Sequence, residues 1–172
     1  MSKEVINWTQ GDVMNQFISG NIAMMVNGPW QVPTMREQAP DLNWDVTLLP
    51  KDAEYASCLG GENFGVIDGD NVDAALDFLQ FATSKDEVAS YIDDFGYIAA
   101  RKDVAEGQFT DDETMQKFTE EMQYAQPRGP HAQWPEISDA LSLAVNESIT
   151  GTSTPADAAA KAQSTIDGIL AE

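Results

Sequence analysis

The sequence is poor in the residue types that most metal sites, disulfides and nucleophilic active sites require. It has a single cysteine, Cys58, and a single histidine, His131, among 172 residues. One cysteine cannot form a disulfide within the chain, and one of each is too few for a Cys/His metal cluster. A catalytic Ser–His or Cys–His arrangement is unsupported for the same reason, and no glycine-rich phosphate loop ends in a lysine. We therefore expect no catalytic residue, no metal site and no cofactor.

Basic residues are also scarce. Nine lysines and arginines against twenty-nine aspartates and glutamates give a formal net charge of -20. Such a charge repels nucleic acid and anionic membranes, so we expect no nucleic-acid partner. No apolar run is long enough to cross a bilayer, and the first residues lack the basic and apolar regions of a signal peptide. We interpret the start of the chain as an internal cut. We also expect Cys58 to be buried as a small apolar residue.

What the chain does contain is an apolar stretch that ends in a rigid turn and a tryptophan. Residues 20–30 read Gly-Asn-Ile-Ala-Met-Met-Val-Asn-Gly-Pro-Trp. The five apolar residues Ile22–Val26 predict a short strand buried on both faces. Gly28 permits a sharp turn and Pro29 restricts the backbone, so Trp30 is held at the end of that strand. Two roles are open for Trp30: packing in the core, which is the commoner role of tryptophan, and facing a ligand.

The rest of the chain predicts a few short strands and then mostly helices. Thr9 and Asp12 mark a helix start, and Gly20 marks its end. Residues 126–131, with two prolines and a glycine, predict a loop. The remaining elements follow from apolar spacing and capping signals: helices at 32–39, at 72–82, from Ser84, from Thr110, from Trp134 to Gly151 and from Thr154, and strands at 44–49, 56–59 and 64–67.

The stretch around Trp30 also carries a family resemblance. Residues 17–30, Phe-Ile-Ser-Gly-Asn-Ile-Ala-Met-Met-Val-Asn-Gly-Pro-Trp, resemble the signature of ABC-transporter solute-binding proteins of the maltose-binding type. The resemblance spans roughly Val5 to Leu170 and covers the C-terminal portion of such a protein, less than half of a family member. One departure is Ala99-Ala100, where many relatives carry a proline. Further agreements follow in the same order, at 44–50, 60–61, 74–79 and 100–104.

The resemblance implies the C-terminal part of a type II periplasmic-binding-protein-like fold, α/β in class and helix-rich with a few short strands. Two lobes joined by a hinge hold the ligand between them in that fold. Residues of about 1–60 and 117–172 would form pieces of the C-terminal lobe, and about 64–112 would pack with the N-terminal lobe. The implied function is to capture a mono- or oligosaccharide outside the cytoplasm, in the periplasm or at the cell surface. The sugar is then delivered to an ABC permease, and no chemistry is done on it.

The resemblance also implies ligand-binding residues. Trp30 looks like the aromatic platform on which a sugar ring stacks. Gly60, Gly61 and Glu62 look like a cleft loop whose backbone and side chain reach the sugar hydroxyls. The residue types alone favour plainer interpretations, a simple turn for the two glycines and a solvated acid for Glu62.

Two weaker candidates lie at the proline-rich loop. Arg128 is within that loop, and Trp134 begins the helix that follows it, where relatives close the cleft. Trp134 also falls on the apolar stripe of its helix, so helix packing is an equally good interpretation of this residue.

Two other classes of function remain as alternatives. A carboxylate-based glycoside hydrolase would need two acids across a cleft. Adjacent acids occur at 93–94, 111–112 and 120–121, but neighbours on a helix point apart, which favours a solvated surface. The third class is a structural, self-associating module. Strands whose neighbours are missing leave unpaired backbone groups, so we hypothesise a homodimer formed by segment exchange.

Overall fold

A computed structural model describes residues 3–171, and backbone contacts divide the chain into two units. One unit is the continuous segment Met14–Pro127. The other combines the chain up to Val13 with the chain from Arg128 onward. Arg128 therefore lies at the point where the chain leaves the first unit for the second.

Helices dominate the secondary structure. Short 3-10 helices occur at Lys3–Asn7 and Met122–Tyr124. Two strands, β1 (Ser57–Cys58) and β2 (Ala125–Gln126), pair in parallel. The predicted class, α/β and helix-rich with a few short strands, is confirmed. In chain order the α-helices are α1 (Gln10–Ile18), α2 (Gln31–Gln38), α3 (Val72–Ala82), α4 (Lys85–Tyr91), α5 (Lys102–Ala105), α6 (Glu113–Glu121), α7 (Trp134–Thr150) and α8 (Pro155–Leu170).

Two helix starts follow from the capping signals in the sequence. Before α1, the N–H of Asp12 donates to the Thr9 hydroxyl at 3.2 Å, and the N–H of Thr9 donates to the Asp12 carboxylate at 2.8 Å. This reciprocal pair satisfies two backbone donors that a helix start leaves without partners. Before α8, Thr154 accepts from the N–H of Asp157 at 3.1 Å. Both predicted starts are confirmed.

Two helix ends and the turn that follows α4 share a glycine pattern. Gly20, Gly96 and Gly151 all have left-handed φ angles, of 73°, 67° and 77°. The residue after each glycine donates its N–H to the carbonyl five residues before it, at 3.0, 3.3 and 3.0 Å respectively. This is the Schellman motif, which caps the last helical carbonyls and favours glycine because the left-handed conformation crowds a Cβ atom. The predicted ends at Gly20 and Gly151 are confirmed.

The predicted start of α6 at Thr110 is wrong by a few residues. The helix begins at Glu113 with Asp112 as its N-cap residue. Asp112 Oδ1 accepts a hydrogen bond from Met115 N at 3.1 Å. The same carboxylate receives two hydrogen bonds from Arg36 of α2, at 2.7 and 2.9 Å. That bidentate contact joins segments far apart in sequence, so local capping signals do not include it.

The predicted buried strand at Ile22–Val26 is also wrong. The segment is irregular, and its Met24 and Val26 are 86% and 77% exposed. No backbone hydrogen bond joins residues 22–26 to any other part of the chain that the structure describes. An apolar run becomes a buried strand only when neighbouring strands pair with it, and no described segment does so here. The predicted strands at 44–49 and 64–67 are irregular for the same reason.

The unit Met14–Pro127 has a small apolar core. Val88, Ala99 and Val104 form one buried cluster that involves α4, α5 and the segment between them. Met35 of α2 and Met115 of α6 are each 2% exposed, and they are the largest fully buried side chains among residues 3–171. The core therefore lies around α2, α4, α5 and α6.

By contrast, α3 forms where predicted but buries none of its residues. Phe78 and Phe81 are 61% and 59% exposed, and Ile67 in the preceding segment is 91% exposed. Residues of 65–71 and of α3 together line an open groove of about 450 Å³. We call the exposed side chains of Ile67, Phe78 and Phe81 the α3 apolar face.

The second unit is built on α7 and α8, which pack against each other as a helical hairpin. Ala158 and Ala162 of α8 are buried, as is Ile137 of α7, whereas Leu141 is 47% exposed. Small alanine side chains let the two helices approach closely. The apolar stripe predicted for α7 is thus buried only in part. No helix within residues 3–171 combines the length and the apolar character needed to span a membrane.

Candidate functional site

Trp30 lies at the N-terminus of α2, where the chain turns into the helix. It is the N-cap residue, and the following N–H groups of residues 31 and 32 donate to Gly28 O and Pro29 O, at 3.2 and 2.9 Å. The Trp30 side chain is half-buried. Its six-membered ring lies over Gly28, so closely that it occupies the place a Cβ atom would take there. Gly28 therefore makes room for the tryptophan ring, and its own φ angle is not in the left-handed region.

The aromatic partner of Trp30 is Tyr97. The two ring centroids are 5.9 Å apart, and the ring planes are inclined by 35°. Tyr97 is 41% exposed, so the pair presents aromatic surface to solvent. Sequence reasoning missed Tyr97 as a site residue. The available signal was the Gly96-Tyr97 dipeptide after a helix, but its proximity to Trp30 depends on the fold.

Gly96 brings the two aromatic segments together. A Cβ atom on this residue would lie 2.8 Å from Pro33 Cδ and 2.9 Å from Pro29 O, closer than side chains pack. The absence of a Cβ atom therefore lets the turn after α4 contact the start of α2. The left-handed φ of Gly96 then directs Tyr97 out of the helix, beside Trp30.

The predicted loop of Gly60, Gly61 and Glu62 follows β1. All three residues are exposed, and a Cβ atom on either glycine would meet nothing within 4 Å. The loop starts from the strand ladder, since Leu59 N donates to Gln126 O at 2.9 Å. Its backbone groups face open space. Cys58, which the sequence suggested would be buried, is exposed beside this loop, because the two-residue strand leaves its side chain uncovered.

Arg128 and Trp134 belong to the other unit. Arg128 is exposed and has no ion pair among residues 3–171. Trp134 is half-buried at the first position of α7, and its Cε3 lies 3.9 Å from the place of a Cβ atom on Gly129. The loop turns into α7 through a hydrogen bond from Trp134 N to His131 O, at 3.1 Å. His131 is exposed, as expected for a loop residue.

The six predicted candidates are thus divided between the units. Trp30 and the 60–62 loop lie in Met14–Pro127, and Arg128 and Trp134 lie in the unit that begins at Arg128.

The carboxylate pairs considered for a hydrolase mostly have structural partners. Arg36, which donates two hydrogen bonds, holds the pKa of Asp112 below its ordinary value, although partial burial opposes this. A general acid needs the opposite shift. Asp93 accepts from Gln108 at 2.5 Å, and Glu120 is 3.3 Å from Lys117. Within the described chain no group of acids, histidine and cysteine could hold a metal ion.

Comparison with known families was made after these observations. The family described as "Bacterial extracellular solute-binding protein" matches residues 2–117, which is more than half of the chain. The chain belongs to this family. The match includes Trp30, Tyr97 and the 60–62 loop, and it ends before Arg128 and Trp134. The family description names binding proteins located outside the cell, which implies an extracytoplasmic location.

Curated relatives agree with that assignment. A protein of Brucella abortus (strain 2308) and one of Brucella suis biovar 1 (strain 1330), both named "Putative binding protein", are each 28% identical to this solute-binding protein over 166 residues. The aligned region is 92% of this chain and 40% of each relative. The chain therefore spans about two-fifths of the length of the curated relatives it matches.

Proposed function

We propose that this chain is part of the carbohydrate-binding component of an ABC importer, which captures a mono- or oligosaccharide and delivers it to a membrane permease. The observation that carries the proposal is the partly exposed aromatic pair of Trp30 and Tyr97 in a solute-binding protein. Trp30 is the main stacking residue. No catalytic step is part of this function.

The chemistry of a sugar fits such a surface. One face of a pyranose ring carries C–H groups that an indole covers, and its hydroxyls need a few well-placed polar partners. The exposed backbone of Gly60 and Gly61 and the side chain of Glu62 offer such partners. A neutral ligand also avoids repulsion from a protein whose formal charge is -20.

Arg128 and Trp134 have a secondary place in the proposal. Arg128 is an exposed arginine without an ion pair among residues 3–171, which leaves its guanidinium free to donate to ligand hydroxyls. Trp134 offers a second half-buried indole. In the two-lobe arrangement of relatives, we assign about 1–60 and 117–172 to one lobe and about 64–112 to packing with the other.

Tryptophan fluorescence tests the proposal directly. A panel of neutral mono- and oligosaccharides is titrated into the wild-type protein and into the Trp30→Ala variant. We expect one or more sugars to quench the wild-type emission, with affinity falling at least about tenfold in the variant, which corresponds to about 1.4 kcal/mol. The Trp44→Phe variant is the matched control and should bind as the wild type does.

Three results would contradict the proposal in whole or in part. Release of products from an oligosaccharide, detected by chromatography, would support the glycoside hydrolase alternative. Unaltered sugar affinity in Trp30→Ala would remove Trp30 from the binding surface. Quenching of Trp30 by a solute that is not a sugar would keep a binding role and reject a carbohydrate ligand.

We also propose that the chain self-associates by segment exchange through the α3 apolar face. Support comes from its exposed phenylalanines and from the neighbouring segment 64–67, whose backbone has no hydrogen bond to the backbone of any residue in 3–171. Unpaired strand edges beside apolar surface favour pairing with another chain. The formal charge of -20 opposes association, so added salt should strengthen it.

Light scattering over a range of protein concentrations tests self-association. We expect the mass to rise above that of one chain, and Phe78→Glu to lower it again. Gln123→Glu adds the same charge at an exposed position outside the face and should leave the mass unchanged. A mass of one chain at every concentration would refute this part of the proposal.

A further inference from the structure

Gln108 is the side chain that holds the segment carrying Tyr97. Its Nε2 donates to Tyr97 O at 3.1 Å and to Asp93 Oδ1 at 2.5 Å. Its Oε1 accepts from Ala99 N at 2.7 Å. A single amide group thus connects Asp93, three residues before Gly96, with the exposed Tyr97 and the buried Ala99.

The two backbone contacts of Gln108 imitate a strand ladder. Tyr97 O and Ala99 N are the groups of alternate residues that point to the same side of an extended segment. In a parallel sheet the peptide groups of a neighbouring strand would donate to the first and accept from the second. No strand covers this side within residues 3–171, and the Gln108 amide supplies both bonds instead.

Other contacts also fix the position of Tyr97. Tyr97 N donates to Ile92 O at 3.3 Å, and Gly96 packs against Pro29 and Pro33. Ala99 is 6% exposed and belongs to the apolar cluster. The backbone of 96–99 is therefore held at both ends by α4 and by the core, and on its open side by Gln108.

Gln108 is itself held by an unusual turn. The next residue, Phe109, has a φ of 56°, which is rare for a bulky side chain. The Gln116 amide donates to Phe109 O at 3.1 Å and to Thr110 O at 2.7 Å, so this conformation has dedicated support. Backbone strain of this kind persists only where surrounding contacts impose it, and here it directs the chain away just after Gln108.

We infer that Gln108 is a positioning residue of the ligand surface: its amide group replaces a missing neighbouring strand and keeps the Tyr97 ring beside Trp30. The inference rests on the proposed function for its effect on binding. The positioning itself concerns only the geometry of the Trp30 and Tyr97 rings. Gln108 touches neither ring through any hydrogen bond, so its effect is transmitted through the backbone of Tyr97.

The position of the Trp30 ring relative to Tyr97 is measured by fluorine NMR of protein labelled with 5-fluorotryptophan. Trp30→Phe assigns the Trp30 resonance among the four tryptophans. Tyr97→Leu removes the tyrosine ring and gives the reference shift. We expect Gln108→Leu to displace the Trp30 resonance toward that reference, while the resonances of the other three tryptophans stay in place.

Two further variants make the result specific. Gln108→Glu retains an acceptor for Ala99 N, but it loses the donor to Tyr97 O and places a second carboxylate beside Asp93, so it should also displace the Trp30 resonance. Gln108→Glu also replaces Gln108→Leu as the test variant if the leucine variant does not fold. Gln163→Leu is the matched control, because it removes a glutamine that donates to Asp167 on α8 at 2.7 Å. It should leave the Trp30 resonance unchanged.

An unchanged Trp30 resonance in folded Gln108→Leu and Gln108→Glu would overturn the inference. Binding is measured in parallel by fluorescence titration with the same neutral sugars. If a sugar binds the wild type, its affinity should fall several-fold in Gln108→Leu and remain in Gln163→Leu. If no sugar binds the wild type, the proposed function fails, while the NMR shift still decides the role of Gln108.

Discussion

Replacing Gly96 by alanine should destabilise the protein more than the same change at Gly20 or Gly151. All three glycines are in the left-handed region, with φ angles of 67°, 73° and 77°; Gly20 and Gly151 follow helix ends, and Gly96 closes the turn after α4. They differ in what a new methyl group would meet. At Gly20 nothing lies within 4 Å, and at Gly151 the nearest atom is the flexible Lys3 Nζ at 3.7 Å. At Gly96 the neighbours are the rigid Pro33 ring and a backbone carbonyl, at 2.8 and 2.9 Å.

The magnitudes follow from these distances. A non-glycine residue in the left-handed region costs about 1–2 kcal/mol, which all three variants share. Forcing a methyl group into a packed contact adds about 1–3 kcal/mol, and only Gly96→Ala incurs it. We therefore expect about 1–2 kcal/mol for Gly20→Ala and Gly151→Ala and about 2–5 kcal/mol for Gly96→Ala.

Urea denaturation followed by far-UV circular dichroism measures these differences. Because Gly96 packs against Pro29, next to Trp30, Gly96→Ala should also change the near-UV spectrum and the tryptophan emission of the folded protein. The two control variants should leave both spectra unchanged. Equal destabilisation by all three substitutions would refute the close contact between the turn after α4 and the start of α2.

Three further changes test separate contacts by the same denaturation assay. Asp112→Asn should cost about 0.5–1 kcal/mol at pH 7 by losing the Arg36 ion pair. Folding lowers the pKa of Asp112. Its contribution to the free energy of unfolding is therefore present above about pH 3.9 and is lost as pH falls through the folded pKa. At low pH the wild type and Asp112→Asn should become equally stable. Met35→Ala should cost about 2–5 kcal/mol, because Met35 is fully buried. Thr154→Ala should cost about 1 kcal/mol, because the Thr154 side chain caps α8. Ser84→Ala should have little effect, because the Ser84 side chain makes no capping hydrogen bond to α4.

Local features of the fold were predictable from the sequence. Capping by Thr9 and Thr154 and helix ends at Gly20 and Gly151 depend on bonds between residues at most five apart. Such bonds form whatever the rest of the chain does, which is why these predictions are confirmed. The cap of α6 is the exception, because Asp112 is also bound to Arg36 of another helix.

Predictions that depended on distant neighbours were wrong. The run Ile22–Val26 has the composition of a buried strand, yet Met24 and Val26 are exposed, because no backbone hydrogen bond pairs the run with another described segment. Phe78 and Phe81 of α3 are exposed as well, since no described segment covers them. Apolar periodicity states which residues favour burial, and it carries no information about whether a covering surface is present.

In the candidate site, too, the local motif was predictable from the sequence, and the contacts between distant segments were not. The sequence by itself determined a solute-binding family member with Trp30 directly after a glycine–proline turn, because that motif is continuous in the chain. Only the tertiary structure decided that Gly28 makes room for the indole, that Tyr97 is its partner and that Gln108 holds Tyr97. These contacts join segments distant in sequence through packing and hydrogen bonds, and such pairings depend on the folded backbone as a whole.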